Sequence, residues 1–320
     1  PGHINTFNTP GIVSRNNATL NNKTDYAGMK AYYALLDQAE GADSISQFNH
    51  PGTTFGTFGD FSFWDPVTDT RIAMVEVGNG EGQIGAGGYY PSYEQYIMAL
   101  DKGWHVTPTN NQDNHKGLWG DANTARSVVL VDSLTQENIY DAMRNYRVYA
   151  TEDNDLSIYY TLDGYIMGSI LEDGATGDTV HLSVDLSDPT DASIGKVQVI
   201  TNGGLVLAEK NVSGNEETVT FDVKNDYSYY YIKVVEADSD IAVTAPVWVG
   251  SVEAAGIDSF STDEVLPVRG EPLTVNLGLY NNENSELAID SITFEVGGET
   301  VHEADLAAAG LGSVASMSTG

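Results

Sequence analysis

The stretch WHVTPTNNQDNHKGLW, residues 104–119, organises the sequence. It opens on a short apolar run from Trp104 to Val106, which we predict to be a strand, and then turns polar. Asp113 and His115 stand two residues apart in the polar part. Because residues i and i+2 of an extended segment point to the same side, a carboxylate oxygen and an imidazole nitrogen there can reach one cation. The stretch therefore predicts a metal-binding loop directly after a buried strand.

Two further histidines occupy the same kind of position, where a predicted strand meets a loop. His50 follows the run 44–48, and Pro51 keeps the backbone of His50 out of the right-handed α region. His3 stands in the motif that opens the chain. An Asp-x-His pair alone is more often part of a surface loop, but three of six histidines at such junctions predict one shared site.

Five short motifs, taken in this order and spacing, resemble a known family: Gly2-His3-Ile4-Asn5, Asn49-His50-Pro51-Gly52, Val75-Glu76-Val77-Gly78-Asn79-Gly80, Asp113-Asn114-His115 and Arg147-Val148-Tyr149-Ala150-Thr151. They resemble the later half of the PHP (polymerase and histidinol phosphatase) superfamily of metal-dependent hydrolases, most closely its extracytoplasmic, carbaryl-hydrolase-like branch. The resemblance covers roughly residues 1–155. It implies the C-terminal part of a distorted (β/α)7 barrel and a fragment that lacks the first metal motifs. Such a fragment is expected to be inactive alone.

The resemblance also implies a cluster of two or three divalent ions, of zinc, manganese or iron. Its ligands would be His3, His50, Asp113 and His115. In the family, the aspartate and histidine of the third ligand motif bind different ions, so Asp113 and His115 are the candidate catalytic groups.

Polar side chains beside these motifs are candidates for substrate binding: Glu76, Asn79, Lys116 and Arg126. Glu76 could equally orient a ligand histidine or serve only as a hydrogen-bonding group. Lys116 and Arg126 could hold a substrate anion or form ordinary salt bridges. His105 is expected to be a packed strand residue, and His181 and His302 are expected at the surface of β modules.

The predicted function is hydrolysis of a phosphate ester, or of a related ester or amide, by metal-activated water. The substrate would be a small molecule or other ester. One alternative is a degenerate PHP scaffold that acts as a secreted or cell-surface binding or structural protein. Another is a carbohydrate-binding scaffold that uses the aromatic loop 55–64 as its platform.

Composition restricts the partners. The net charge is −32, with 46 acidic against 14 basic residues, which disfavours a nucleic-acid partner. The absence of cysteine excludes disulfides and thiolate metal sites. No apolar run is long enough to predict a transmembrane helix. An acidic, cysteine-free chain with β modules is typical of secreted or surface bacterial proteins, although a halophilic cytoplasm would explain the acidity as well.

Strand and helix patterns alternate up to about residue 155, which indicates parallel strands with crossover helices. From 156 to 250, seven runs of period-2 hydrophobicity predict an Ig-like β-sandwich. Residues 251–320 resemble a partial Ig-like β module. The acidic residues of the sandwich are scattered along its turns, so we expect it to serve structure or attachment to a cell wall or surface and to add no catalytic group. The boundary near Asp155 is expected to tolerate separation.

Overall fold

The computed structural model describes residues 2–9, 26–36, 43–52, 54–172, 174–250, 255–262, 274–281, 287–296, 299–305, 313–314 and 318–319. Within these residues the chain forms four α-helices and 23 β-strands. The helices are α1 (Tyr26–Leu36), α2 (Pro66–Asp69), α3 (Tyr93–Asp101) and α4 (Gln136–Arg144). The strands up to residue 151 are β1 (His3–Phe7), β2 (Ile45–Asn49), β3 (Ile72–Asn79), β4 (Tyr90–Pro91), β5 (Thr107–Asn111), β6 (Arg126–Val129) and β7 (Val148–Thr151).

The later strands fall into two groups. The first group is β8 (Ser157–Leu162), β9 (Tyr165–Ile166), β10 (Thr179–Ser187), β11 (Gly195–Thr201), β12 (Leu205–Val212), β13 (Glu216–Lys224), β14 (Tyr229–Val235), β15 (Ile241–Thr244) and β16 (Val247–Trp248). The second is β17 (Ala255–Thr262), β18 (Val275–Asn281), β19 (Leu287–Ala288), β20 (Ser291–Val296), β21 (Glu299–Asp305), β22 (Ser313–Val314) and β23 (Ser318–Thr319).

The predicted (β/α)7 barrel is wrong, because the first sheet is open and, among the residues that the structure describes, contains only five strands. Its order is β1-β2-β3-β4, with β5 paired to β3. Strands β2, β3 and β5 run parallel as predicted, but β1 and β4 are antiparallel to their neighbours. Strands β6 and β7, predicted to continue the barrel, pair antiparallel with each other and belong to another sheet. Three parallel strands are too few to close on themselves.

Burial explains why β2 and β3 form the centre of the first sheet. Every residue of both strands is buried, as expected for strands covered on both faces. The third parallel strand begins at Thr107, three residues later than the apolar run predicts. Helix α4 begins after Thr135, whose side-chain oxygen accepts a hydrogen bond from the Asn138 N–H. Helical patterns in the sequence extend over about 92–102 and 133–144, and helices α3 and α4 lie within them. The helical pattern over about 24–40 is described only from Tyr26 to Leu36, where it forms α1.

Two antiparallel sheets enclose the largest core. One has the order β13-β10-β8-β9, and the other has the order β12-β11-β14-β15-β7-β6, with β16 paired to β14. Inward side chains alternate with outward ones along β10, so its period-2 pattern is read correctly from the sequence. Ile158 and Val184 of the four-stranded sheet belong to one buried cluster with Val199 and Ile232 of the seven-stranded sheet. Tyr149 of β7 is part of the same cluster.

The described chain divides into two compact units: residues 1–61 with 66–252, and residues 62–65 with 253–320. In the first unit, the seven-stranded sheet takes strands from both sides of Asp155, because β7 pairs with β15. The domain division at 155 stays a prediction, but backbone pairing crosses it. In the second unit the described strands β17 to β23 pair antiparallel, and its Ig-like character also stays a prediction.

None of the helices in the described part of the chain is long and apolar enough to cross a membrane, in agreement with the sequence prediction.

Candidate functional site

Three predicted site residues lie at one edge of the first sheet, and the topology explains why. His50 directly follows β2, and Asp113 comes two residues after β5, so both stand beyond the carboxyl ends of parallel strands. His3 opens β1, which is antiparallel to β2 and pairs His3 with Asn49. The start of β1 and the end of β2 therefore meet at the same place.

The two histidines are in direct contact. His3 Nδ1 lies 3.1 Å from His50 Nε2, with the ring planes nearly perpendicular. Metal–nitrogen bonds of ~2.0–2.1 Å place two imidazole nitrogens on one zinc ion roughly 2.9–3.4 Å apart. The ring of Phe55 covers the pair, with its centroid 4.4 Å from that of His50 and 5.6 Å from that of His3. The spacing of the two nitrogens therefore fits two ligands of one ion.

Two further properties of His50 bear on metal binding. Burial, followed by the neighbouring His3, lowers the pKa of His50, which favours the neutral form that metals bind. Its Nδ1 atom is buried and has no hydrogen-bond partner in the described structure, whereas metal-bound imidazoles usually donate from their second nitrogen. The neutral ring therefore supports a ligand role through Nε2, and the unpartnered Nδ1 adds no support.

The backbone is strained at both loops that carry predicted ligands. His50 has a φ angle of 32° and Asp113 has a φ angle of 42°, in the left-handed region that side-chain-bearing residues rarely adopt. Such conformations cost of order 1–3 kcal/mol each and persist where the surrounding structure enforces them. At His50 this is not the extended backbone that a following proline favours, although it avoids the right-handed α region as predicted.

Glu76 lies at the centre of a buried hydrogen-bond network behind the histidines. Its carboxylate accepts the backbone N–H of His50 at 2.5 Å and the side-chain amides of Asn79 at 3.0 Å, Asn111 at 2.9 Å and Gln47 at 3.3 Å. Burial raises the pKa of Glu76 from 4.5 to about 7, against the opposing effect of these donors. Glu76 therefore positions the His50 loop, and the hydrogen bond from the Asn79 side chain holds the Glu76 carboxylate.

We expect Glu76 to make the stability of the chain depend on pH. In a buffer with chelator, the folded carboxyl keeps its proton to a higher pH than the unfolded one. The free energy of unfolding contributed by this group is therefore fully present below about 4.5 and is lost as the pH rises towards 7. Relative to Glu76→Gln, the wild type should lose stability across that range in urea titrations. Glu94→Gln, exposed in the first turn of α3, should track the wild type. Parallel profiles for the wild type and Glu76→Gln would contradict the prediction.

Asp113 approaches the site, whereas His115 turns away. The charge of Asp113 contributes to raising the pKa of both His50 and Glu76, which places its carboxylate near them. His115 Nδ1 instead contacts the backbone oxygen of Asp113 at 2.5 Å, and its side chain is 74% exposed. The positive φ of Asp113 bends the loop, so the extended geometry expected for an Asp-x-His pair does not apply.

The two predicted substrate-binding cations differ in their surroundings. Lys116 pairs with Glu81 at 3.0 Å on an exposed loop. Arg126 lines an open groove of about 330 Å³ together with Asp113 and Trp119. Its Nη1 atom donates to the backbone oxygens of Asn123 and Ala125. Arg126 is therefore the better placed of the two to meet a substrate anion next to Asp113.

The remaining histidines and the aromatic loop have structural partners. His105 Nδ1 lies 2.6 Å from Asp69 Oδ2, so it is a hydrogen-bonded packing residue, as expected, although it precedes β5 instead of lying within a strand. His181 is exposed and pairs with Asp222, while the side chain of His302 lies outside the described residues.

In the aromatic loop 55–64, Phe58 and Phe61 are buried against Phe48. The loop is therefore mainly a packing element.

An acidic cluster in the sandwich was not anticipated. Two groups of carboxylates, Asp153 with Asp155 and Asp188, and Asp188 with Asp191 and Glu236, have ligand oxygens within 4.8 Å of one another. The expectation of scattered acidic residues is wrong here, because three loops bring them to one end of the sheets. The spacings Asp153-x-Asp155 and Asp188-x-x-Asp191 are the only sequence signal, and neither identifies its partners.

Comparisons with known proteins add little to this geometry. The chain is 22% identical over 235 residues to the plasma membrane-type calcium-transporting ATPase 3 of rice, Oryza sativa subsp. japonica. The matched stretch covers 73% of this chain and 19% of that protein, so the chain spans a small part of its length. No protein-family model matches the chain. No solved structure matches it either. The geometry therefore carries the functional argument.

Proposed function

We propose that this chain is part of a divalent-metal-dependent hydrolase, acting on phosphate esters or on related esters or amides. The observation that carries the proposal is the 3.1 Å approach of His3 Nδ1 to His50 Nε2. Asp113 supplies the nearby carboxylate. The motif resemblance to the PHP superfamily supports the same chemistry, with two or three ions of zinc, manganese or iron.

A bound ion would supply Lewis-acid activation of water at neutral pH. The chain's own groups hold the ligands in place: the Glu76 carboxylate fixes the His50 backbone, and the Phe55 ring packs against the two imidazoles. Arg126 would bind an anionic substrate in the groove beside Asp113. His115, with its exposed ring on the same loop, is the remaining candidate for a ligand or a proton-transfer group.

The test is metal binding followed by catalysis. We expect the purified chain to bind manganese or zinc, measured by equilibrium dialysis and elemental analysis. His3→Ala and His50→Ala should each lower the affinity at least tenfold, because one nitrogen ligand of the same ion is removed. The matched control is His181→Ala, which deletes an exposed imidazole from β10 and should leave affinity unchanged. Because the family resemblance implies that this chain is inactive alone, the second readout is hydrolysis of bis-(p-nitrophenyl) phosphate by the intact protein.

Two outcomes separate the proposal from its alternative. Equal metal affinity in the wild type and His50→Ala would refute the site. Metal binding that depends on both histidines, without hydrolysis of phosphate, carboxylate or carbamate esters in the intact protein, would instead support a degenerate scaffold that binds ligands at a cell surface. In either case we propose an attachment or structural role for the β-sandwich, in a secreted or surface protein.

A further inference from the structure

Three loops at one end of the sandwich converge on Asp188. The loop after β7 brings Asp153 and Asp155, the loop after β10 brings Asp188 and Asp191, and the loop after β14 brings Glu236. These positions are up to 83 residues apart in sequence, so only the strand pairing brings them together. The cluster contains five carboxylates.

The two central carboxylates lack the partners that buried charges need. Glu236 is 4% exposed, and neither of its carboxylate oxygens has a hydrogen-bond partner in the described structure. Asp188 is fully buried, and its Oδ2 atom is equally unpartnered. Among the described residues, no lysine or arginine forms an ion pair with any of the five. Buried, unpaired acceptors of this kind are strongly destabilising unless a cation meets them or a proton neutralises one of them, and burial together with the neighbouring Asp188 raises the pKa of Glu236.

The other oxygens of the cluster are already used to shape the loops. Asp153 Oδ1 accepts the N–H groups of Asp155 at 2.6 Å and of Leu156 at 2.8 Å. Asp188 Oδ1 accepts the N–H groups of Thr190 at 3.2 Å and of Asp191 at 3.0 Å. These bonds fix both loops and leave Asp188 Oδ2 and both Glu236 oxygens without a hydrogen-bond donor in the described structure.

We propose that this end of the sandwich is a calcium-binding site centred on Asp188. Its protein ligands come from the two groups that share this residue, Asp188 with Asp153 and Asp155, and Asp188 with Asp191 and Glu236. Calcium binds six to eight oxygens at ~2.3–2.6 Å, so its ligand oxygens are at most roughly 5 Å apart. The 4.8 Å limit within each group fits that sphere. Magnesium, with bonds of ~2.0–2.1 Å, needs a smaller and more regular sphere. An all-oxygen ligand set is also unlike the nitrogen-rich sites that zinc prefers.

Such an ion would join the loop between β7 and β8 to the loops that follow β10 and β14. Asp153 and Asp155 lie between β7 and β8, where the chain passes from one sheet of the sandwich to the other. Binding in the folded state alone stabilises that state by mass action. The inference is independent of the proposed hydrolase site, which uses other residues and nitrogen ligands.

The experiment compares thermal unfolding of the whole chain in chelator and in calcium. At ~10 mM calcium, above the ~0.1–1 mM dissociation constants of extracellular modules, we expect the melting temperature to rise by about 5–10 °C. Glu236→Gln and Asp188→Asn should lose most of this rise. In chelator the same two variants should melt at or above the wild-type temperature, because each replaces one of two buried carboxyl groups that face each other with a neutral amide. This result would also show that both variants fold.

Two control variants test whether the calcium-dependent rise in melting temperature is specific to this site. Glu217→Gln, an exposed carboxylate on β13, and His50→Ala at the other site should both keep the calcium-dependent rise. No rise in the wild type, or a full rise in Glu236→Gln, would overturn the site and leave a proton shared between Glu236 and Asp188 as the explanation. An equal rise with magnesium would overturn the assignment to calcium.

Discussion

A fragment of residues 156–250 is expected to lose the cooperative thermal unfolding of residues 1–252. Cutting at Asp155 removes β6 and β7 from the seven-stranded sheet and exposes the edge of β15, where Ala242, Val243 and Thr244 pair with β7. It also removes Tyr149, which is buried in the sandwich core. This expectation replaces the separability that the sequence pattern alone suggests.

Tyr149 makes the cut costly for a second reason. Its hydroxyl donates to the backbone oxygen of Leu156 at 2.9 Å, and the N–H of Ile158 approaches the same hydroxyl oxygen at 3.3 Å. Loss of a buried aromatic side chain costs ~3–5 kcal/mol, which is a large part of the stability of a small domain. Circular dichroism melts of residues 156–250 and 1–252 provide the comparison. A sharp, reversible transition in the shorter fragment would show that the sandwich folds alone.

The second large effect is expected for Trp104→Ala. The Trp104 ring is fully buried and packs edge-on against Phe48, 5.1 Å between centroids, and against Tyr33 at 5.9 Å. Its Nε1 donates to the backbone oxygen of Phe61 at 2.8 Å, so it holds the aromatic loop over the sheet. We expect the free energy of unfolding to fall by ~3–5 kcal/mol, because a large cavity forms and a buried carbonyl loses its donor.

Urea titration of the intact chain measures this change. Trp119→Ala is the matched control, since that indole is 78% exposed in the loop after β5 and should change stability by less than about 0.5 kcal/mol. Because Phe48 lies two residues before His50, Trp104→Ala should also weaken metal binding at the proposed hydrolase site. Similar stabilities for both tryptophan variants would contradict the packing argument.

Local patterns predicted much of the strand content. The alternation along β10 and β13 and the helical pattern of α1 depend on near neighbours in sequence, which is why their positions were found. The partner of β7 could not be predicted in this way, because Val148–Thr151 is buried throughout and its sequence fits a parallel or an antiparallel neighbour equally. The barrel prediction is wrong because β7 pairs with antiparallel neighbours.

The residues of the candidate sites also differ in how far the sequence alone can predict their positions. His3 and His50 could be placed together because each stands at a strand end. The orientation of His115 depends on the positive φ of Asp113, which no residue preference in an Asp-Asn-His sequence dictates. The carboxylates around Asp188 come from three loops whose meeting depends on the order of strands, so their separate acidic residues look like ordinary turn residues.

The pairing of β7 with β15 also has an evolutionary consequence. A recombination event with its crossover at residue 155 would join a first half and a sandwich whose strands have not been selected as partners. Such recombinants would carry a mismatched sheet and, at position 149, a core residue that was selected against the sandwich of the other parent. The coding sequence on the two sides of residue 155 is therefore expected to be inherited together, and homologous chimaeras should express well only when both strands come from the same parent.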